Sequence, residues 1–259
     1  MKIRTIIMKE WTETLRDRMI LVSILIPPII FTVVPAVLVR IPNMRTMQSE
    51  TLDEIYAASP LLRAAGPEDV TKLILVSQFM IFFLMMPVFI PLSIAVQSII
   101  GEKQNRTLEP LLATPIDTLE LLLGKSLSAA IPAIIITWTS FAIFYASTLP
   151  IVGETLRGAL LDPKWIVTVL VIAPLLCLLG VGMAVLLSSR LNDTRAAQQL
   201  GAVVIIPIVG IAVAQTAGKL VLGVGHFIIG ALFLALIDAI LLYLTVKVFD
   251  RETILTRWK

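Results

Sequence analysis

Charged residues are unevenly spread along this chain of 259 residues, and long apolar stretches separate them. Four uncharged stretches exceed 22 residues, the first has 21, and the sixth has 18 before the apolar run resumes beyond Asp238. About 20 helical residues cross the apolar core of a bilayer, so the pattern predicts six membrane-spanning helices. The uncharged stretches are residues 19–39, 73–101, 126–153, 165–189, 196–218 and 220–237.

The predicted fold class is an all-α membrane protein, with residues 1–259 forming a single transmembrane domain. The charged leader, residues 1–18, is too long for a signal peptide, and the apolar stretch that follows it, residues 19–39, is longer than the apolar region of a signal peptide. The first span is therefore predicted to be retained. Residues 40–72 are predicted as an external loop and residues 101–125 as a cytoplasmic loop. The predicted spans are approximately residues 19–39, 73–100, 126–149, 165–187, 198–217 and 227–247.

Composition agrees with a membrane protein and excludes several other classes. Apolar residues make up 58% of the chain and the mean hydropathy is +0.95, which excludes an ordinary soluble globular protein. The single cysteine, Cys177, excludes an intrachain disulfide, and with one histidine, His226, no metal-binding cluster is predicted. The pI of 9.1 does not indicate nucleic-acid binding, because lysine and arginine also orient a membrane protein.

The distribution of Lys and Arg predicts the orientation. With the N-terminus inside, 14 of these residues lie in cytoplasmic segments and 7 in external ones. This bias follows the positive-inside rule and predicts a multi-pass protein of the plasma membrane with both termini in the cytoplasm. The largest external loop, residues 40–72, is acidic on balance.

The leader has the periodicity of an amphipathic helix. Apolar residues recur every four positions from Ile3 to Leu15, with Trp11 among them, and the cations Lys2, Lys9 and Arg16 recur every seven on another face. One interpretation is a helix lying in the membrane surface, with the apolar face in lipid and the cations toward lipid phosphates. The other is an ordinary solvated charged leader.

The stretch "GEKQNRTLEPLLATPIDTLELLLGKS", residues 101–126, ends in the last three letters of a phosphate-binding loop. Such a loop needs a glycine five positions before Gly124, where this chain has Leu119, and it follows a strand. The leucines between them cannot bring a run of backbone N–H groups around phosphates. Gly124–Ser126 is therefore not predicted to bind a nucleotide, and this chain is predicted not to hydrolyse ATP itself.

The pattern of this stretch instead predicts a short helix outside the membrane. Thr107 can cap it, its apolar face carries Leu108, Leu111 and Leu112, and Pro115 ends it. That face is too short to span a membrane and too apolar to remain fully hydrated. It is either a docking surface for another protein or an amphipathic turn resting on lipid headgroups.

The stretch resembles the signature of the ABC-type-2 transporter permeases, the membrane subunits of ATP-driven exporters. The tail "VFDRETIL", residues 248–255, is similar to that family's ending, and the leader resembles its elbow helix. Two positions depart from the signature: Gln104 stands where a second acidic residue is frequent, and Arg106 where glycine often precedes the threonine. The matching positions are Glu102, Lys103, Thr107, Leu108, Glu109, Leu111, Leu112, Thr114, Pro115, Gly124 and Lys125.

The resemblance implies a permease subunit in which the short helix is a coupling helix that seats on a separate ATPase. It also implies a second permease copy, identical or closely related, and places ATP and Mg²⁺ on the partner ATPase, with no cofactor bound by this chain. Membrane lipids are further partners, and nucleic acid is not. An ion-gradient-driven secondary transporter is the alternative; an intramembrane enzyme lacks a supporting motif. The substrate is not predicted.

Polar residues within the spans are candidates for a transport pathway. Asp238 lies near the middle of the sixth span, where an ionised carboxylate is costly and often functional, although it can also be protonated or paired in helix packing. Gln97 and Gln215 are further candidates, with helix–helix contact as the other reading. Residues 215–230 are predicted to include a re-entrant external hairpin. Pro87, Pro91 and Pro132 are either bending points or static kinks.

Overall fold

The structure is a computed structural model that describes residues 2–38, 40, 56, 66–107, 118–150, 162–216 and 223–248. Within these residues the regular secondary structure is helical, and six helical stretches are long and apolar enough to cross a membrane. The predicted all-α fold with six spans is thereby confirmed. We number the stretches spans 1 to 6: Ile20–Leu38, Pro67–Gln104, Glu120–Thr148, Pro163–Arg190, Thr194–Ala214 and Val224–Thr245.

The helix bounds show how each span is built. A leader helix, Lys2–Arg16, precedes span 1. Spans 2, 4 and 5 each contain a short irregular turn between two α-helices, whereas the other three are continuous. The helices and turns are Arg18–Leu38; Pro67–Phe82, Phe83–Met85 and Met86–Gln104; Thr118–Thr148; Pro163–Val167, Thr168–Ile172 and Ala173–Arg190; Thr194–Gly201, Ala202–Val204 and Ile205–Thr216; and Val224–Val248.

A proline follows each irregular turn. Proline has no N–H and its ring clashes with the carbonyl four residues earlier. Four residues before Pro87, Pro174 and Pro207 lie residues 83, 170 and 203, each inside one of the three irregular turns. Pro91 and Pro132, by contrast, lie within continuous α-helices. Of the three prolines considered from the sequence, only Pro87 therefore accompanies a local change of helix type.

The helices extend beyond several predicted spans. Span 2 begins at Pro67 rather than near residue 73, because Pro67 and the acidic first turn of Glu68 and Asp69 favour a helix start. The third helix begins at Thr118, so the predicted loop 101–125 contributes helical residues at both ends. Gaps between charges locate the part of a helix that suits lipid, whereas the helix itself continues through charged residues. Most of residues 40–65 and residues 217–222 lie outside the described part.

Span 2 lies at the centre of the bundle, with nearly every residue from Met86 to Ile100 buried. Spans 4 and 5 approach it closely through glycines. A Cβ added at Gly180 would lie 2.6 Å from the Val88 carbonyl oxygen, and one at Gly201 would lie 2.5 Å from Leu92 Cδ1. These contacts hold span 2 tightly against both neighbours.

The outward faces of the bundle are apolar. Large aliphatic side chains of span 6, such as Ile229 and Leu232, are about two-thirds exposed. Such exposure is unfavourable in water but not in lipid, whose hydrocarbon is as apolar as leucine. The faces therefore suit a bilayer.

Candidate functional site

Four charged side chains from three helices meet at the end of the bundle that carries the leader helix. Lys9 and Glu10 come from the leader helix, Glu102 from the last turn of span 2, and Lys125 from the start of span 3. Glu102 and Lys125 flank the segment of residues 103–124, which contains the predicted docking helix. We call these four residues the charge ring.

The charges of the ring alternate around a closed circuit. Lys125 Nζ lies 2.9 Å from Glu10 Oε1 and 2.8 Å from Glu102 Oε2, and Lys9 Nζ lies 2.5 Å from Glu102 Oε1. The fourth side, between Lys9 Nζ and Glu10 Oε1, measures 3.5 Å. Each cation thus contacts both carboxylates, and each carboxylate contacts both cations.

The ring is largely removed from solvent. The side chains of Lys125 and Glu10 are each 3% exposed and that of Glu102 is 8% exposed. Lys125 Nζ also lies 2.8 Å from Ser98 Oγ, so three oxygens surround an ammonium group that has three N–H donors. Its contact with Glu102 Oε2 is an ion pair and not an aligned hydrogen bond. Burial without such partners would be strongly unfavourable for a lysine.

The surroundings of the ring favour the charged form of its leader-helix members. Burial by itself raises the pKa of a carboxyl group, but Lys125, Ser98 and Lys9 together hold the pKa of Glu10 below its ordinary value of 4.5. Burial likewise opposes the charge on Lys9, but Glu102, Glu10 and Glu13 raise the pKa of Lys9 above its ordinary value. Both residues are therefore ionised at neutral pH.

Carboxylates of Glu10, Glu13 and Glu102 lie close enough to share a metal ion, with ligand oxygens within 4.8 Å of one another. The ammonium groups of Lys9 and Lys125, however, already contact these oxygens. A metal ion there would meet two positive charges, so the donor set fits an ion-pair ring and not a metal site.

Span 2 ends in a hydrogen-bonded C-cap. The Thr107 N–H donates to the Glu102 carbonyl at 3.0 Å and the Arg106 N–H to the Lys103 carbonyl at 3.3 Å, the two bonds of a Schellman motif. The motif requires a left-handed residue at Arg106, whose φ is 56°. Glycine adopts this conformation readily. The backbone therefore favours glycine at position 106, where this chain has arginine. The Thr107 hydroxyl also donates to the Glu102 carbonyl.

The residues after Glu102 contact the turn between spans 4 and 5, which we call the 4–5 turn (Leu191–Asp193). Lys103 Nζ donates to the Leu191 carbonyl at 3.4 Å, and Gln104 Nε2 donates to the Asn192 carbonyl at 2.8 Å. The first residues of the 103–124 segment thus touch spans 4 and 5 as well as continuing span 2.

The structure brings together only part of the predicted site. Glu102 and Lys125 are paired, and Gly124 lies under Ile6 of the leader helix, where an added Cβ would be 2.9 Å from the Ile6 side chain. Lys103 and Thr107 occupy the positions described above. The remaining predicted docking residues lie outside the described part of the chain: Leu108, Glu109, Leu111, Leu112, Thr114 and Pro115.

Sequence reasoning missed the contribution of the leader helix. One of the two interpretations of the leader places Lys9 toward lipid phosphates. In the structure Lys9 pairs with Glu102, because a buried carboxylate needs a cation. The Trp11 indole N–H donates to the Ser128 carbonyl at 3.0 Å, which fixes the leader helix to span 3. One signal was present: Glu10 falls three and seven residues after Ile7 and Ile3, on the apolar side of the helix.

The candidate pathway residues lie on different spans. Asp238, on span 6, has both carboxylate oxygens enclosed and without a hydrogen-bond partner among the described residues. Gln97, on span 2, is half-buried, and the side chain of Gln215 lies outside the described part. Gln78 donates to the Ala212 carbonyl at 3.2 Å, a link between spans 2 and 5.

Comparison with protein-family models decides the class of this molecule. The model described as "ABC-2 family transporter protein" matches residues 4–247, nearly the whole chain. The chain belongs to this family. It is therefore a multi-pass membrane protein and a membrane transporter subunit of an ABC system. No curated individual protein matches the sequence. The matched range includes both the charge ring and the 103–124 segment.

Proposed function

We propose that this chain is the permease subunit of an ATP-driven exporter. Two permease copies, identical or closely related, form the pathway in the plasma membrane with both termini in the cytoplasm, and each seats on a separate ABC ATPase subunit. ATP and Mg²⁺ are bound by the ATPase. The chain itself binds no cofactor; it supplies the pathway and the contact through which the ATPase moves it.

Family membership and the charge ring support this proposal. Glu102 and Lys125 lie 2.8 Å apart and close the 103–124 segment at its base, and the leader helix braces both of them. A segment held at both ends by a buried ion-pair network resists displacement relative to its spans. A displacement of this segment by a bound ATPase would therefore also displace the ends of spans 2 and 3.

Burial assigns a positioning role to three of the predicted docking residues. Glu102, Gly124 and Lys125 are enclosed by the permease itself, so they position the segment and do not touch a partner. The sequence pattern of Leu108, Leu111 and Leu112 makes them the proposed apolar contact surface. In this proposal, closure of the two ATPases on ATP binding moves that surface. The permease changes conformation only if its contacts with the ATPase differ in free energy between the open and the closed ATPase pair.

The test is co-expression of the tagged chain with its genomic neighbours, followed by purification to ask whether an ABC ATPase comes with it. Replacing Leu108, Leu111 and Leu112 together by Asp is expected to abolish co-purification. A matched variant with Met at all three positions keeps an apolar surface and is expected to retain the ATPase. Retention by the Asp variant would move the contact elsewhere. Absence of any ATPase from the wild-type preparation in gentle detergent would refute the proposal.

The ion-gradient transporter is the second candidate, and one observation favours it. The enclosed carboxylate of Asp238 has no hydrogen-bond partner among the described residues, as expected of a group that binds a proton or cation during transport. The ion-gradient hypothesis predicts that Asp238→Asn abolishes gradient-dependent uptake in vesicles that contain no ATPase. The absence of any gradient-driven uptake by the wild-type chain would exclude it.

A further inference from the structure

The 4–5 turn presents two carbonyl groups to the end of span 2. The turn is short, because span 4 ends at Arg190 and Asp193 caps the next helix by accepting from the N–H groups of Arg195 and Ala196. The carbonyls of Leu191 and Asn192 both accept from side chains of span 2. The turn therefore has both its own cap and an external attachment.

The attachment requires hydrogen-bond donors. A carbonyl oxygen is only an acceptor, so the group facing it must carry N–H or O–H. Gln104 supplies an amide N–H at 2.8 Å from the Asn192 oxygen, and Lys103 supplies an ammonium N–H at 3.4 Å from the Leu191 oxygen. A carboxylate at position 104 would place negative charge against the Asn192 carbonyl and remove the donor. The identity of residue 104 therefore decides whether the Asn192 carbonyl is held, by the shorter of the two contacts.

The packing below the turn makes the attachment mechanically useful. Gly180 of span 4 sits against the Val88 carbonyl, and Gly201 of span 5 sits against Leu92, both on span 2. A side chain at either position would overlap an atom of span 2, so spans 4 and 5 both lie in close contact with it. With the turn also held at its tip, the adjoining ends of spans 4 and 5 follow the end of span 2.

We infer that Gln104 is a positioning residue that carries motion of the 103–124 segment into spans 4 and 5. Three consecutive residues contact different parts of the bundle. Glu102 forms ion pairs with the leader helix and span 3, while Lys103 and Gln104 donate hydrogen bonds to the 4–5 turn. The ATP-driven part of this inference rests on the proposed function. The attachment itself is a property of the permease alone.

The attachment is measured by the distance between spin labels on two exposed side chains. The single cysteine is first removed by Cys177→Ala, and labels are placed at Arg106→Cys and Arg195→Cys, one on each side of the contact. In the permease alone, with unlabelled permease in excess so that distances within one chain are measured, we expect one narrow distribution. Gln104→Glu is expected to lower the ratio of held to released turn about five-fold, as loss of one hydrogen bond implies, and so to add a second, broader component to the distribution.

Asn105→Asp is the matched control, because it adds the same charge one residue away on a side chain that is exposed like that of Gln104. It is expected to leave the distribution narrow, and Gln104→Ala to broaden it less than Gln104→Glu. Equal distributions for Gln104→Glu and Asn105→Asp would overturn the inference. All three comparisons use the permease without ATPase, so their outcome is independent of the proposed function.

The second measurement uses the permease–ATPase complex. The label distance is expected to be the same without nucleotide and with trapped ATP, since the turn follows span 2. Gln104→Glu is expected to keep the ATPase bound but to make the distance depend on nucleotide. A change of distance in the otherwise unaltered complex on ATP binding would overturn the inference, whereas failure to form a complex would count against the proposed function only.

Discussion

Replacing Lys125 by Met tests whether the charge ring holds the leader helix and spans 2 and 3 together. Methionine keeps an unbranched side chain of similar length in the buried site but removes the ammonium group. Glu10 and Glu102 then face each other with only Lys9 to balance them, and Ser98 loses its contact with Lys125. The perturbation thus isolates charge from packing.

The expected magnitude follows from the burial of the ring. Lys125 and Glu10 are each 3% exposed, so solvent screens the remaining carboxylates little. Removing one partner of a buried ion pair typically costs about 3–5 kcal/mol, because the other charge is left uncompensated. Glu13→Gln is the matched control: its side chain is 58% exposed and, among the described residues, pairs with the outer cation, Lys9, so the change should cost less than about 1 kcal/mol.

The assay is unfolding of the detergent-solubilised protein, by temperature or denaturant, for wild type, Lys125→Met, Glu10→Gln and the double variant. Because the two residues are in contact, their effects should not add, and the double variant should lose less stability than the sum of the two single losses. A Lys125→Met variant as stable as Glu13→Gln, or strictly additive losses in the double variant, would refute the buried-ring reasoning.

Three further outcomes are expected. Arg106→Gly should stabilise the chain by about 1 kcal/mol in the same unfolding assay, because φ is 56° there, whereas Arg106→Ala should not. Gly180→Ala should destabilise by about 1–3 kcal/mol, since its Cβ would lie 2.6 Å from the Val88 carbonyl, while Gly210→Ala, with no atom within 4 Å, should be near neutral. Because the fold lowers the pKa of Glu10, its ionised carboxylate contributes stability above the pKa of the unfolded chain, about 4.5. That contribution is lost as the pH falls through the pKa of the folded protein. A pH series of the unfolding assay should show this loss in wild type and not in Glu10→Gln.

Some features of the site were within reach of the sequence because they depend on neighbouring residues alone. The comparison with a frequent glycine marked Arg106 as unusual, at a position that the structure shows to be left-handed. Thr107 was predicted to cap the following short helix, and the structure places it in the C-cap of span 2. Glu102 and Lys125 were also identified, but as part of a partner-binding surface. Their burial against each other was not foreseeable, because they are separated by 23 positions and neither has a periodic pattern that indicates its partner.

The sequence by itself determined the fold class and the six spans, because the cost of placing charge in hydrocarbon is so large that it dictates where charges lie along the chain. Only the tertiary structure decided what those charges contact. Lys9 forms an ion pair with Glu102, and Glu10 forms one with Lys125. Gln104 donates a hydrogen bond to the 4–5 turn. Such contacts depend on the distances between helices, which side-chain packing sets at atomic scale and which hydropathy along one chain does not record.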